Sequence, residues 1–371
     1  MMEEMAKWNF INRVIFINPI LSIKNVVNRG NGNFDSNANN YHRLFPSYIT
    51  PKLLVYTPIN VLPNREFLKP FKKLGIRIIL GIIRQLNSDK PYILFMNCPN
   101  IYSHYVLDEL LKNAKMSIFD FSDDFAELGY NKETIEFFRC NIARYAKAAD
   151  IVLTVNDHIR DKYSYLNSNI YVLRNATNYD NFDRKDYKRI DVLEKIKDKK
   201  KPIIGYSGLA NMSRIDADLL DYLFEKRKEW QFVFVGPAKS NFVERYSLKN
   251  NFHSIPAVDY QILPDYLRYF DVAIVPFKKN DHTLGNDLLK FHDYLAMGKP
   301  VVSTDIGGAN DLKDVIRISF TKVDFLQQIE DALVNENSEN ILKRKNRAFK
   351  NSWHNRIKEL EDLIKGHLKY N

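Results

Sequence analysis

A chain of 371 residues, 45% of them hydrophobic, is longer than the roughly 250 to 300 residues at which one core stops growing, so two domains are expected. Its apolar runs fall short of the ~20 residues that span a bilayer, and its opening MMEEMAKWNF lacks the basic-then-apolar order of a secretory leader; a soluble or peripheral protein of the cytoplasm is expected. The net charge of +10 calls for an acidic partner, yet the basic residues are scattered in no nucleic-acid-binding module, so nucleic acid is set aside.

Two cysteines, Cys98 and Cys140, stand in separate segments and fit a reducing compartment better than a disulfide framework. In the first half, short apolar stretches at 13–18, 52–57, 91–97, 115–120, 150–155 and 169–173 read as strands buried on both faces, and helical patterns, notably 132–149, separate several of them. Such alternation means a parallel, doubly wound sheet, whose ligands gather beyond the carboxyl ends of the strands. After the first strand, the composition of NRGNGNFDSNANN at 28–40 allows a flexible acceptor lid or simple disorder, with disorder favoured. The strand at 115–120 runs into Asp120-Phe121-Ser122-Asp123-Asp124, the densest carboxylate group in this half. Asp123 or Asp124 is the candidate to take a proton from an acceptor hydroxyl, although aspartate also favours N-caps and salt-bridged turns. His104 lies beyond another strand end, where a lone histidine is more often structural.

Residues 178–201 are charged and nearly free of apolar periodicity, and read as a linker between a first domain at 1–180 and a second at 201–349. The second opens with PIIGYSGLANMSRIDADLLDYLFEK at 202–226, a strand, two glycines and a helix. Gly205 and Gly208 let backbone approach a ligand and Arg214 suits a diphosphate, although tight strand-to-helix turns use glycine for their own sake. Strands at 231–235 and 271–276, a helix at 261–270, an edge strand at 314–320 and a helix at 323–334 follow, before a basic helical run at 341–369. There Trp353, Ile357, Leu360 and Ile364 form an apolar stripe for docking, while Lys343, Arg344, Lys345, Arg347 and Lys350 suit anionic lipid.

The stretch at 281–308, DHTLGNDLLKFHDYLAMGKPVVSTDIGG, organises this half. It holds a polar loop, a helix at 286–297, a Gly298-Lys299-Pro300 break, a strand at 301–304 and a glycine turn at Gly307-Gly308. The helix is expected to begin beside Thr283, Leu284 and Gly285, where unpaired amides and the positive dipole end suit an anion. Lys290 would reach the same phosphates as a point charge, and Asp293 would accept hydrogen bonds from ribose hydroxyls. An ordinary surface pair of Lys and Asp three residues apart is the alternative.

The string LLKFHDYLAMGKPVVST at 288–304, with FDVAIVPF at 270–277, resembles the donor-site signature of group 1 glycosyltransferases with the GT-B fold, where Lys-x-x-Glu-Tyr-Leu-Ala-x-Gly-Lys-Pro-Val-Val recurs. It is most similar to the bacterial branch that builds cell-surface polysaccharides of teichuronic acid and exopolysaccharide type. Residues 174–182, RNATNYDNF, resemble the Pro-Asn-Gly-Val-Asp stretch that leads out of the first domain of that family. The resemblance implies two Rossmann-like α/β domains with doubly wound parallel sheets facing a cleft, and a C-terminal helix at 350–371 crossing back to the first. It also implies that the donor diphosphate lies between the Gly208–Arg214 turn and Lys290, with the nucleotide base on the backbone near Val258. Asp293 stands where the family usually has a ribose-binding glutamate. Gly285 stands where retaining members often have a second glutamate, so that residue's donor-sugar contact is unassigned.

The implied activity is transfer of a sugar from a nucleotide-diphosphate sugar, UDP ahead of GDP, to a hydroxyl of a cell-envelope glycan or lipid-linked acceptor at the inner face of the cell membrane. Arg214, Lys290 and the amides near Thr283 and Leu284 would neutralise the leaving diphosphate, so neither a metal nor another cofactor is expected. Inversion would need a base, for which Asp123 and Asp124 are the candidates; retention would not. A sugar-nucleotide epimerase of the same fold, and a non-catalytic scaffold that binds nucleotide sugar or membrane, are the alternatives.

Overall fold

The computed structural model describes residues 1–17, 21–22, 46–56, 59–60, 69–88, 90–97, 104–127, 131–197 and 201–370; the loop at 28–40 and Cys98 lie outside them. The chain divides into two compact units. Unit 1 comprises Met1–Thr154, Arg160–Val172 and Ile357–Asn371, and unit 2 comprises Val155–Ile159 and Leu173–Arg356.

Unit 1 carries β1 (Val14–Ile17), β2 (Leu21–Ser22), β3 (Ser47–Thr50), β4 (Leu53–Tyr56), β5 (Ile59–Asn60), β6 (Ile93–Asn97), β7 (Met116–Phe121), β8 (Ile151–Thr154) and β9 (Ile170–Val172). Among the described residues these pair in the orders β1-β4-β3, β2-β5 and β6-β7-β8-β9. Every pairing is parallel except β3 with β4. The expected alternation of strand and helix misses β3, because SYIT is half-exposed and lacks the continuous apolar run that marks a buried strand. Helix Lys132–Ala148 starts where the Asn131 side chain accepts a hydrogen bond from the Thr134 amide at 2.9 Å. It buries Phe138, Ile142, Tyr145 and Ala146 on one face, with Tyr145 against Phe119 of β7 at a ring separation of 6.2 Å.

In unit 2, β10 (Ile203–Ser207), β11 (Gln231–Val235), β12 (Phe252–Ile255), β13 (Val272–Val275), β14 (Val301–Thr304) and β15 (Arg317–Ser319) form one parallel sheet in the order β12-β11-β10-β13-β14-β15. Every residue of β10, β11 and β13 is buried, as in a parallel sheet covered on both faces. The order of strands reverses between β10 and β13, and the carboxyl ends of these two strands are where such a sheet binds ligands.

Two expectations are corrected here. Of the expected linker at 178–201, the described residues 178–197 belong to unit 2: helices Tyr179–Phe182 and Asp191–Lys197 bury Phe182, Leu193 and Ile196 in its core. The charges that masked them are themselves engaged, since Arg184 and the Lys188 amide both bond the buried carboxylate of Asp265. The basic run at 341–369 is two helices, Ser338–Lys350 and Trp353–Tyr370, separated where the Thr177 amide and carbonyl bond the Asn351 carbonyl and the Trp353 amide, both at 3.1 Å. The second helix enters unit 1 at Ile357 and buries Ile357, Leu360 and Ile364.

Gly205 serves packing rather than ligand approach, because a Cβ there would lie 2.1 Å from the Phe270 ring. Replacing Gly205 with Ala is expected to cost about 1–3 kcal/mol through overpacking, measured as a lower urea midpoint at unchanged m-value.

Candidate functional site

At the end of β10 the chain turns at Gly208, whose φ of +119° lies where a side chain is strained. The neighbouring strand β11 ends in Gly236 at φ +138°, and a Cβ on Gly236 would come within 2.5 Å of the Gly208 carbonyl oxygen. The two turns therefore lie flush, held by the bond from the Gly208 amide to the Val235 carbonyl at 2.9 Å. Across from them runs helix Leu289–Ala296. Its Tyr294 hydroxyl accepts a hydrogen bond from the Ser207 amide at 2.6 Å and meets the Ser207 hydroxyl at 2.9 Å. Tyr294 lies one turn beyond Lys290 on the same helix face, so this anchor delivers Lys290 to Gly208. A methyl group placed on Gly208 would sit 3.0 Å from Lys290 Nζ.

Lys290 Nζ donates to the Tyr206 hydroxyl at 2.9 Å and lies 4.1 Å and 4.9 Å from the ring centroids of Tyr206 and Phe277. The Tyr206 hydroxyl in turn donates to the Leu209 carbonyl at 3.0 Å. No carboxylate reaches Lys290 within ion-pair distance among the described residues, although ring faces hold a cation well. Burial first, then the Arg214 guanidinium, lower its pKa to about 7, with Asp293 only partly offsetting them. Arg214 sits in the loop after β10, which is tied to the loop after β13 by the bond from the Lys278 amide to the Arg214 carbonyl at 2.8 Å. Gly208, Arg214 and Lys290 are thus brought together at the carboxyl ends of β10 and β13.

Asp293 points elsewhere. It is buried, and its Oδ1 accepts the hydroxyls of Thr177 at 2.7 Å and Tyr260 at 2.8 Å. Desolvation raises its pKa to about 6 against those two hydrogen bonds. Lys290 and Asp293 are therefore not a surface ion pair, despite their spacing. Val258 lies in the turn between β12 and Tyr260, partly packed on the core.

Thr283 and Leu284 do not supply the expected free amides. Asn280 caps a separate short helix, Asp281–Leu284, accepting from the Thr283 amide at 2.9 Å through its side chain and from the Leu284 amide at 2.9 Å through its carbonyl. The Lys290 helix starts only at Leu289, with Leu288 as an N-cap that makes no side-chain bond, so the uncapped amide end falls at 289–290. Between the two helices the loop is clamped by other groups. Asn156 Nδ2 donates to the Leu284 and Asn286 carbonyls at 3.1 and 3.4 Å, and the Gly308 amide donates to the Asn286 carbonyl at 2.8 Å. Asn175 bonds Asp287 twice, at 2.7 and 2.6 Å.

In unit 1, Asp124 is buried and accepts from Lys162 Nζ at 2.7 Å and the Tyr163 hydroxyl at 3.1 Å. It is the salt-bridged turn that aspartate often makes, and its oxygens are occupied. Asp123 is half-buried and engaged in an interaction of its own. His104 begins helix His104–Leu111, and its side chain lies outside the described residues. Sequence reasoning missed Tyr206, Phe277, Thr177 and Tyr260, which read as core or turn residues until the fold sets them against Lys290 and Asp293.

Residues 208–335 match the family described as glycosyl transferases group 1. That match covers about a third of the chain. A stretch of 160 residues, 41% of the chain, is 26% identical to the teichuronic acid biosynthesis glycosyltransferase TuaH of Bacillus subtilis, and the chain spans about two fifths of that relative, 40% of its length. A glycosyltransferase from Rickettsia africae superposes with a TM-score of 0.65 at 15% identity, covering 97% of this chain and 100% of that one. Sucrose-phosphate synthase from Thermosynechococcus elongatus gives 0.66 at 12% identity, covering 97% and 100%, and Anabaena HepE in complex with UDP gives 0.58 at 12%, covering 85% and 86%. At these identities the likeness establishes the fold, which is GT-B. The matched stretch takes in Gly208, Arg214, Lys290 and Asp293.

An anionic ligand at this site requires Lys290 protonated, and the free lysine loses its proton near pH 7. Affinity for inorganic pyrophosphate is therefore expected to be flat below pH 6 and to fall above 7, roughly tenfold weaker at pH 8 than at pH 6, as read by calorimetric titration. Thr177→Val removes one of the two hydroxyls on the Asp293 carboxylate and is expected to cost about 1.5–3 kcal/mol of stability in denaturant unfolding at neutral pH.

Proposed function

We propose that the protein is a glycosyltransferase that moves a sugar from a nucleoside diphosphate, UDP in the first instance, to a hydroxyl of a cell-envelope glycan or lipid-linked acceptor. The observation that carries this reading is the Lys290 ammonium, lodged beside the Gly208 turn with no carboxylate to neutralise it among the described residues. A second cation, Arg214, adds to the same field, and the uncapped first turn of the Lys290 helix contributes its dipole. Two cations and a helix end assembled around glycine backbone suit a leaving diphosphate, whose developing charge they stabilise without reorganising. HepE, crystallised with UDP and with UDP-glucose, supports UDP as the nucleotide, and the TuaH relative supports a cell-envelope acceptor.

Peripheral attachment to an anionic membrane is part of the proposal in a narrowed form. No helix among the described residues is long and apolar enough to cross a membrane. In helix Ser338–Lys350, Arg344 pairs with Glu336, Lys345 with Asp183 and Arg347 with Asp314, so lipid attraction falls to Lys343 and Lys350 beside the exposed Leu342 and Phe349.

Lys290→Met is the test. The variant should lose at least tenfold in UDP affinity and nearly all transfer from UDP-sugars, while its melting temperature stays level or rises because a desolvated cation has been removed. Wild-type affinity in this variant would refute the site.

A further inference from the structure

Helix Leu289–Ala296, which carries Lys290, begins without a cap, and the amides of Leu289 and Lys290 donate to no group among the described residues. Helix ends of this kind fray unless something else fixes them. Here the fixing group lies inside the helix. His292, wholly buried on the first turn, reaches back with Nε2 to Asp287 Oδ1 at 3.2 Å, in the loop before the helix. The other Asp287 oxygen accepts the Asn175 amide at 2.7 Å, and the Asp287 carbonyl accepts Asn175 Nδ2 at 2.6 Å. Gly308 stands against the same residue: a Cβ there would come within 2.9 Å of Asp287 Cα and 3.0 Å of Asp287 Oδ1. Asp287 is therefore gripped from three sides, by His292, by Asn175 and by the Gly308 backbone.

Packing alone does not account for this pair. An imidazole and a carboxylate are both withdrawn from water, and His292 Nδ1 is buried with no hydrogen-bond partner among the described residues. An apolar side chain at 292 would cover the same surface without leaving a ring nitrogen unpaired. What the pair adds is direction. A carboxylate only accepts, so Nε2 is the nitrogen that carries the shared proton, and the loop is drawn onto the helix along one line. An ordinary N-cap would hold the same end by accepting from the amides of the first turn. Asp287 instead spends its oxygens on His292 and Asn175, which leaves those amides open beside Lys290. We infer that His292 and Asp287 are positioning residues for a diphosphate: they fix the start of the Lys290 helix through side chains and reserve its first amides, with Lys290, for the ligand. The inference rests on the diphosphate reading of the Lys290 site and deepens it.

The test uses the full chain and inorganic pyrophosphate, with affinity read by calorimetry and folding by circular dichroism. His292→Leu should bind pyrophosphate about five- to twentyfold more weakly than wild type. His292→Gln, whose amide nitrogen reaches about as far as Nε2 and can donate to Asp287, should return to within about threefold of wild type. A role in packing alone would not favour Gln over Leu. In wild type labelled with 15N at histidine, the solvent-protected Nε2 proton of His292 should shift when pyrophosphate is added, a readout that needs no variant to fold. Wild-type affinity in His292→Leu, a folded His292→Gln no better than His292→Leu, or an Nε2 proton unmoved by bound pyrophosphate overturns this inference and leaves the Lys290 site standing. Absence of pyrophosphate binding by wild type overturns both.

Discussion

A charged amine held against two aromatic faces, with glycine backbone beside it and no carboxylate in reach, is the constraint around which unit 2 is arranged. Lys290 is expensive where it stands: burial and the nearby Arg214 both oppose its charge. The fold holds it there through rigid parts, namely the Tyr294 anchor on Ser207, the flush turns at Gly208 and Gly236, and the Tyr206 hydroxyl fixed on the Leu209 carbonyl. Under the proposed function, an arriving diphosphate would offset that cost by supplying the negative charge the pocket lacks among the described residues.

Position along the sheet explains why these parts meet. The switch in strand order between β10 and β13 opens a gap at their carboxyl ends, and both loops that fill it are tied to each other through the Lys278 amide and the Arg214 carbonyl. The second layer, Asn156, Asn175 and Thr177, carries no charge and touches no proposed ligand, yet it holds the loop at 284–287 and the Asp293 carboxylate in place. Such support is what keeps an active constellation within a fraction of an ångström of its working geometry.

Legibility followed burial. β11 could be read to the residue, because a fully buried parallel strand is a nearly continuous apolar run, and the Lys290 motif stood out because its order of residues is long. The start of the Lys290 helix was misplaced by three residues, since Asn280 closes a separate turn whose capping chemistry is local and easily merged with the helix that follows. The supposed linker failed for the opposite reason: salt bridges at Asp183 and Arg184 use up charges that look solvated in a string of letters. Of the two readings open for Asp124 the salt-bridged turn is the one that forms, and its partners Lys162 and Tyr163 lie some forty positions away, where no spacing rule joins them.

The way the chain is shared between the units bears on how the protein is made. Unit 1 draws its final helix from Ile357–Asn371, with Leu360 and Ile364 wholly buried, whereas unit 2 takes in nearly everything between Leu173 and Arg356. On a ribosome, therefore, the first unit to begin emerging is the last to be completed. Its apolar surface beneath that helix must wait, through the synthesis of the whole second unit, for the residues that cover it.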